Sequence, residues 1–580
     1  MAEIVIDGIP YSFEGKPKLL DFILSKNKDV PFFCYHPSMS APANCRMCMV
    51  KVGQYVKNRE TGDYELDDQG ERQIRWFPKL QTSCNMDMMD DMIVHTHETD
   101  DLVKRAHKDT LEMILINHPL DCPICDQAGE CPLQIQTYKY GPEGSRFEVK
   151  KQHKPKHVQL GPRVTLDAER CINCTRCTRF TDEISQSHQL TITRRGDKNH
   201  PTTAPGTVFD DPYSMNTIDL CPVGALTSTD FRFKARVWEM NQTPGLDITN
   251  GKGVNVDLWT RDNVVLRITP RHNPHVNEYW MTDKGRDAIH LYNEQRLSTP
   301  AIRLHPNDSS LVTTSWDNAY QTTQEIVEST DTKQILVLGS PYASVEENGA
   351  WMQFSESILK QSPSYTTHIE KESGDDFLLV DDQAPNTHGC ELLGLKKRTK
   401  AAFKKAVAEA KVILSLHDDY IERGWLSEEE IKGKTWIYFG TNHTQMAKAA
   451  TLTIPITCAV EHTASYVNVD QRIQRTYPAK ETKYTNRRLD LEMSEGRLDR
   501  FGTKFDHWVN EDHKVDCKPL WEIVGDLSLL WGHTLSYRHG RDVLDALASN
   551  IPALEGVTYQ AMDDQRGILL TSSETQEASS

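Results

Sequence analysis

The chain has 580 residues, 26% of them charged, and 83 acidic against 66 basic side chains leave a net charge of −17. At about one domain per 150 residues that length is too great for a single core. The acidic balance argues against nucleic acid as a partner, since its phosphates would be repelled, and no run approaches the roughly 18 apolar residues of a membrane helix.

The N-terminus, MAEIVIDGIPYSF, has neither a basic n-region nor an apolar h-region and reads as strand–turn–strand rather than as a signal peptide. Residues 1–97 then show short alternating strands (Glu3–Ile6, Met49–Val52) and one helix from Leu19 to Lys26. The polar stretch between Gly53 and Trp76 carries turn residues at both ends and predicts an extended hairpin added to the sheet. Residues 98–140 read as helical, with a stripe at Leu102, Ala106, Leu111, Ile114 and Leu115 over Asp100–Asn117. Residues 141–235 are loop-like and rich in Pro and Gly. Residues 236–304 are β-rich, with VNVDLWT and NVVLRIT separated by a turn at Arg261-Asp262-Asn263. Over 305–560, short apolar strands (QILVLG, VILSL, WIYFG, LTIPI) alternate with helical stretches such as AAFKKAVAEA, the pattern of parallel strands with crossover helices. The tail, 561–580, reads as disordered.

Eleven of the 14 cysteines lie between Cys34 and Cys221. A disulfide scaffold would be small and secreted, so these cysteines point to a reducing compartment and metal ligation. The first group is Cys34, Cys45 and Cys48 with Cys84 further on. Three close cysteines and a distant fourth follow the logic of plant-type [2Fe–2S] ferredoxins. Zinc is the rival, but it prefers paired knuckles, and here the first cysteine stands apart. The second group is Cys122, Cys125 and Cys131, one ligand short of a cubane. His118, just before Pro119, is either an ordinary helix-end residue or the missing ligand; a three-iron cluster and a lone cysteine are the other solutions. The third group, Cys171, Cys174 and Cys177 with a distal Cys221-Pro222, has the spacing that wraps a [4Fe–4S] cubane. Cys390, Cys458 and Cys517 read as buried thiols. No glycine-rich dinucleotide or P-loop fingerprint follows a strand. The turn Ser340-Pro341-Tyr342 is a weak phosphate cradle at best, and His272, His275 and His462 read as structural or surface residues.

In combination and order, these groups resemble the large iron–sulfur subunit (the bacterial G type) of NADH:quinone oxidoreductase, respiratory complex I. HPLDCPICDQAGECPLQ (118–134) is similar to the family's His-ligated cluster motif. RCINCTRCTRF (170–180) and DLCPVGALTS (219–228) are similar to its second cubane site. WEMNQTPGLDI, PRHNPHVNEYWMTDKGR and QRLSTPAIR resemble the start of its molybdopterin-oxidoreductase-like region.

The resemblance implies a multidomain α/β and α+β chain. Its parts are a β-grasp 2Fe-2S ferredoxin domain, a His-Cys 4Fe-4S domain, a ferredoxin-like 4Fe-4S domain, and a degenerate molybdopterin-oxidoreductase-like α/β domain. It implies Cys34, Cys45, Cys48 and Cys84 as ligands of one 2Fe-2S cluster. His118, Cys122, Cys125 and Cys131 would hold one 4Fe-4S cluster, and Cys171, Cys174, Cys177 and Cys221 the other, with no catalytic residue and no molybdopterin. The implied function is relay of single electrons from a flavin subunit towards quinone, with no NAD or flavin site in this chain. The implied partners are the flavin/NADH-binding subunits and the quinone-side iron–sulfur subunits. The implied place is peripheral, on the cytoplasmic face of a bacterial inner membrane or the matrix side of an organelle, touching the membrane only through partners. The alternative is an electron-transfer subunit of an NAD-linked soluble formate dehydrogenase or hydrogenase. Three departures stand out: the gap between Cys48 and Cys84 is long; no cysteine lies from 222 to 389, so an extra CxxCxxxC cluster of some bacterial members is absent; and the pterin-like region is short beside that of many bacterial relatives.

Overall fold

The computed structural model describes residues 2–58, 60–305, 308, 310–484, 511–535 and 537–570. The chain divides after Glu239 into two compact units.

In the first unit, alternation of apolar and polar residues puts Ile4, Ile6, Val50 and Val52 on one buried face of a mixed sheet. Its order along the path is Ile9–Phe13, Ala2–Ile6, Met92–His95, Met49–Tyr55, Ile74–Trp76, with Gln81–Thr82 also paired to Met49–Tyr55. Ala2–Ile6 runs parallel to Met92–His95 (Ile4 opposite Met92), and the other pairs are antiparallel. The helix Leu19–Ser25 buries Leu19, Leu20 and Ile23 in the same core.

The single hairpin expected between Gly53 and Trp76 is instead two tight loops side by side. Gly53 pairs with Trp76, and bridges then link Lys57 to Tyr64 and Leu66 to Arg72. Gly62 (φ +79°) and Gly70 (φ +83°) supply the left-handed residues that let the chain reverse twice. The Arg72 guanidinium lies 4.1 Å from the Tyr64 ring centroid, and the Tyr64 hydroxyl donates to Asp91 at 2.6 Å.

The helical stretch is two helices, Asp101–Leu115 and Pro132–Tyr140. Asp100 caps the first through its carboxylate, which accepts from the N–H groups of Leu102 and Val103. The expected stripe is partly wrong. Leu102 is exposed, and the buried line is Val103, His107 and Leu111, spaced at i, i+4 and i+8. His107 satisfies its burial through a 2.8 Å contact between Nε2 and the Met49 carbonyl.

In the second unit, Asn241–Leu246, Asn255–Arg261 and Val264–Pro270 form an antiparallel sheet. The predicted turn there is the two-residue connection Asp262-Asn263, both at positive φ (50° and 62°). Beyond it is an eight-stranded sheet in the order Val312–Thr313, Ala301–Ile302, Leu452–Pro455, Thr435–Gly440, Val412–Leu416, Ile335–Leu338, Ser364–Thr366, Lys396–Arg398. The strands expected as QILVLG, VILSL, WIYFG and LTIPI are mutually parallel. The backbone N–H groups after the first of these are taken internally. Ser340 N donates to Asn348 Oδ1 and Tyr342 N to Ser340 Oγ, so the turn offers no such cradle. The expected disordered tail begins too early: Tyr559–Asp564 is helical and Ile568–Leu569 is a strand paired with Arg472–Arg475, because Tyr559 and Met562 are buried there. Residues 571–580 lie outside the described residues.

Trp351 is fully buried at the centre of the parallel-sheet core, 4.9 Å from Phe439 between ring centroids. Trp351→Ala should cost the second unit about 3–5 kcal/mol, read as a lowered midpoint in urea unfolding of the full chain.

Candidate metal centres

All 11 N-terminal cysteines fall within the first unit. In the first group, Cys34, Cys45, Cys48 and Cys84 converge. The Cys34 thiol is held far below its ordinary value by hydrogen bonds from Cys45 and Cys84. Those two thiols are driven up, and Cys48 is drawn down by a bond from Cys84. The loop reaches this geometry through two non-glycine residues at positive φ, Ala43 (53°) and Arg46 (58°). That kink turns the N–H groups of Asn44 and Cys45 onto the Cys34 sulfur and that of Met47 onto Cys45. Ser83 pins the distant cysteine by donating both its N–H and its hydroxyl to the Cys48 carbonyl, each at 2.9 Å.

The third group lines a pocket with about 370 Å³ of atom-free space, part of it open to solvent, walled by Ile172, Val223, Ala225 and Leu226. Asn173 and Thr175 adopt φ of 53° and 63°, wrapping the CxxCxxC segment around it. Sulfur faces backbone N–H throughout: Asn173 N lies 3.4 Å from Cys171 Sγ, Arg176 N addresses Cys174, and Val223, Leu226 and Ala225 address Cys221. Burial pushes the free thiols of Cys171, Cys174 and Cys221 up to about 11. A group of thiols that is costly to ionise, yet ringed by N–H donors, suits an iron–sulfur cluster, whose iron charge removes the protons and whose sulfurs accept the bonds.

In the second group, Cys122 is exposed while Cys125 and Cys131 are half-buried. Burial raises Cys131 to about 11, and the N–H groups of Gln134 and Leu133 face its sulfur. His118 follows the first helix directly. Burial, with the charges of Lys151 and Arg170 adding, lowers its imidazole to about 4, so it is neutral at physiological pH, the form that binds metal. Its Nδ1 is buried with no hydrogen-bond partner. Lys151 fixes the segment, its ammonium donating to the carbonyls of Leu115, Ile116 and His118 at 2.9–3.0 Å. Sequence spacing had no sign of Lys151; only the tertiary fold brings it there.

One core joins the groups. Cys34 and Cys174 sit in it with Phe33, Leu133, Leu166 and Val223, and Cys45, Cys131 and Cys171 pack at its edge. The second and third groups meet directly. Cys131 Sγ approaches the Pro222 carbonyl at 3.7 Å, and a Cβ on Gly224 would stand 2.2 Å from Cys125 Sγ. The first and third are tied by arginines, as Arg176 and Arg179 reach from the CxxCxxC helix to the carbonyls of Tyr35, Cys34 and Ser40.

Three family models match the chain. "NADH-ubiquinone oxidoreductase-G iron-sulfur binding region" covers 107–146, the span of the second group. "NADH-quinone oxidoreductase subunit 3, ferredoxin-like domain" covers 161–227, the span of the third. "NADH-ubiquinone oxidoreductase NDSU1/NuoG-like, 4Fe-4S domain" covers 240–290. The G subunit of the NADH-quinone oxidoreductase of Rickettsia bellii is 35% identical over 347 residues, which is 60% of this chain and 47% of that one. The 78 kDa subunit of the mitochondrial NADH-ubiquinone oxidoreductase of Candida albicans is 37% identical over 321 residues, 55% of this chain and 41% of that one.

This chain is similar to the NuoG-type subunits of NADH-quinone oxidoreductases.

It spans about half the length of the curated relatives it matches. The matches establish ferredoxin-like and 4Fe-4S iron–sulfur domains of mixed α/β content. The third match falls on a stretch with no cysteine, so whatever that region contributes here, it offers no thiolate. Among solved structures, a chain of an NAD+-reducing [NiFe]-hydrogenase in the H2-reduced state is 23% identical at a TM-score of 0.31, over 41% of this chain and 91% of that one.

The lone cysteines are all buried. Two of them border an ion pair that the sequence does not announce: Arg296 grips Glu461 with both terminal nitrogens (2.8 and 2.7 Å) and also contacts Cys458 Sγ at 2.7 Å, while Cys517 lies 3.6 Å from Glu461. His462 is buried against Trp521, a structural position as expected.

Gly224→Ala must displace Cys125. The full chain should then bind less iron than the unsubstituted chain, read by iron analysis of the two proteins.

Proposed function

We propose that the chain is an iron–sulfur electron-transfer subunit of an NADH:quinone oxidoreductase, passing single electrons from a flavin subunit towards quinone. The observation that carries the reading is the packing of three thiol-lined nests around one core, each with backbone N–H groups turned towards sulfur. Iron–sulfur clusters bound in these nests supply one-electron redox chemistry with little rearrangement of the protein.

Residues 1–97 form a β-grasp ferredoxin domain in which Cys34, Cys45, Cys48 and Cys84 hold a 2Fe-2S cluster. His118, Cys122, Cys125 and Cys131 hold one 4Fe-4S cluster within 98–140. Cys171, Cys174, Cys177 and Cys221 hold the other within 141–235. The contacts of Cys131 with Pro222 and of Arg176 with Tyr35 support the third group as the middle of the three. What the residues themselves do is hold and tune: buried thiols exclude water, N–H groups stabilise charge on sulfur, and the neutral imidazole of His118 replaces an anionic ligand.

Residues 236–304 begin, and 305–560 form, a degenerate molybdopterin-oxidoreductase-like region that serves as scaffold without molybdopterin. The partners are flavin/NADH-binding subunits and quinone-side iron–sulfur subunits. No helix among the described residues is long and apolar enough to cross a membrane, which suits a peripheral subunit held at the membrane by its partners.

Anaerobically purified chain should carry about ten irons and about ten inorganic sulfides; a colourless, sulfide-free protein would overturn the reading. His118→Cys should keep its cluster while lowering that cluster's reduction potential in a redox titration, because thiolate donates more negative charge than imidazole. An unchanged potential would remove His118 from the ligand set.

A further inference from the structure

Arg176 stands between two cysteine groups rather than beside one. It lies between Cys174 and Cys177 in sequence and opens the short helix Arg176–Arg179. Its Nη1 donates to the Leu220 carbonyl at 3.1 Å, one residue before Cys221. Its Nη2 donates to the Tyr35 carbonyl at 2.5 Å, one residue after Cys34. Its Nε is buried with no hydrogen-bond partner. Its charge acts on Cys174 and Cys221 of the third group and on Cys34 of the first. On Cys125 of the second group the arginine that acts is Arg170.

A fixed cation favours whichever state of a nearby redox centre carries one more electron, and it does so strongly where water is excluded. A cation shared by two centres moves both potentials in the same direction. Arginine fits this place better than lysine. Its planar fork spans two carbonyls that point different ways, and it stays charged when buried.

We infer that Arg176 is a tuning and positioning residue shared by the first and third groups, raising both reduction potentials together. This rests on the reading that both groups hold clusters.

The test is a redox titration of the full chain, purified anaerobically with its clusters, in which EPR follows each cluster separately. In Arg176→Gln, the first and third groups should each fall by at least a tenfold change in the reduced-to-oxidised ratio, about 59 mV for one electron, with the second group unmoved. Arg176→Lys should recover a good part of both shifts. The inference is overturned by unmoved potentials, by a shift in one group alone, or by an equal shift in all three. It is equally overturned if both variants lose the same clusters while keeping the second, which would make Arg176 a strut only. A wild-type chain without inorganic sulfide instead defeats the underlying reading, before any variant is made.

Discussion

Burying a thiolate in protein is costly, and the first unit buries or half-buries ten of its eleven. Left as free thiols, Cys171, Cys174 and Cys221 would stay protonated well above neutral pH, since desolvation penalises their charged form. The surrounding backbone is arranged for the opposite state, with N–H groups turned at sulfur by residues such as Asn173 and Thr175 that accept left-handed conformations. Local strain and desolvation are both offset only when a cationic centre takes the protons' place. On the reading that these groups hold clusters, folding and metal uptake in this unit become one problem.

That coupling explains how the segments of the first unit fit together. The sheet of residues 2–95 closes its own core, yet its cysteine loop carries Phe33, Cys34 and Met47 into a second core shared with Leu133, Leu166 and Val223. Arg176, inside the CxxCxxC segment, and Arg179, just beyond it, hold that loop by its carbonyls. Lysine performs the same service at the helix end before His118. Cationic side chains thus bond to backbone oxygen near sites that gather negative charge, fixing the ligands and tempering the field in one interaction.

The second unit follows a different logic. Its central parallel strands, Ile335–Leu338, Val412–Leu416, Thr435–Gly440 and Leu452–Pro455, are largely apolar and almost wholly buried, as suits strands covered on both faces. The turn after Ile335–Leu338 satisfies its own N–H groups with Ser340 and Asn348. Buried ion pairing by Arg296 and Glu461, with Cys458 and Cys517 alongside, gives this unit a polar core with no counterpart in the hydrophobic pattern.

The sequence alone pointed to two strands of the first unit, an antiparallel pair and four parallel strands of the second, the turn at Asp262-Asn263 and three groups of cysteines. These follow from short-range rules: a period of two, a two-residue reversal, the reach of a few residues around one cluster. Spacing left the role of His118 open, because a lone histidine at a helix end has many uses. The helix Asp101–Leu115 buries Val103 and His107 rather than Leu102, since the face it shows is set by Met49 and Tyr140, which are distant in sequence. The tail folded as far as Leu569 because Tyr559 and Met562 found a core to enter. Only the tertiary structure placed Lys151 on His118, Gly224 on Cys125 and Arg176 between two groups. Such contacts join residues 33 to 141 positions apart, and no local pattern encodes which distant carbonyl a buried cation will meet.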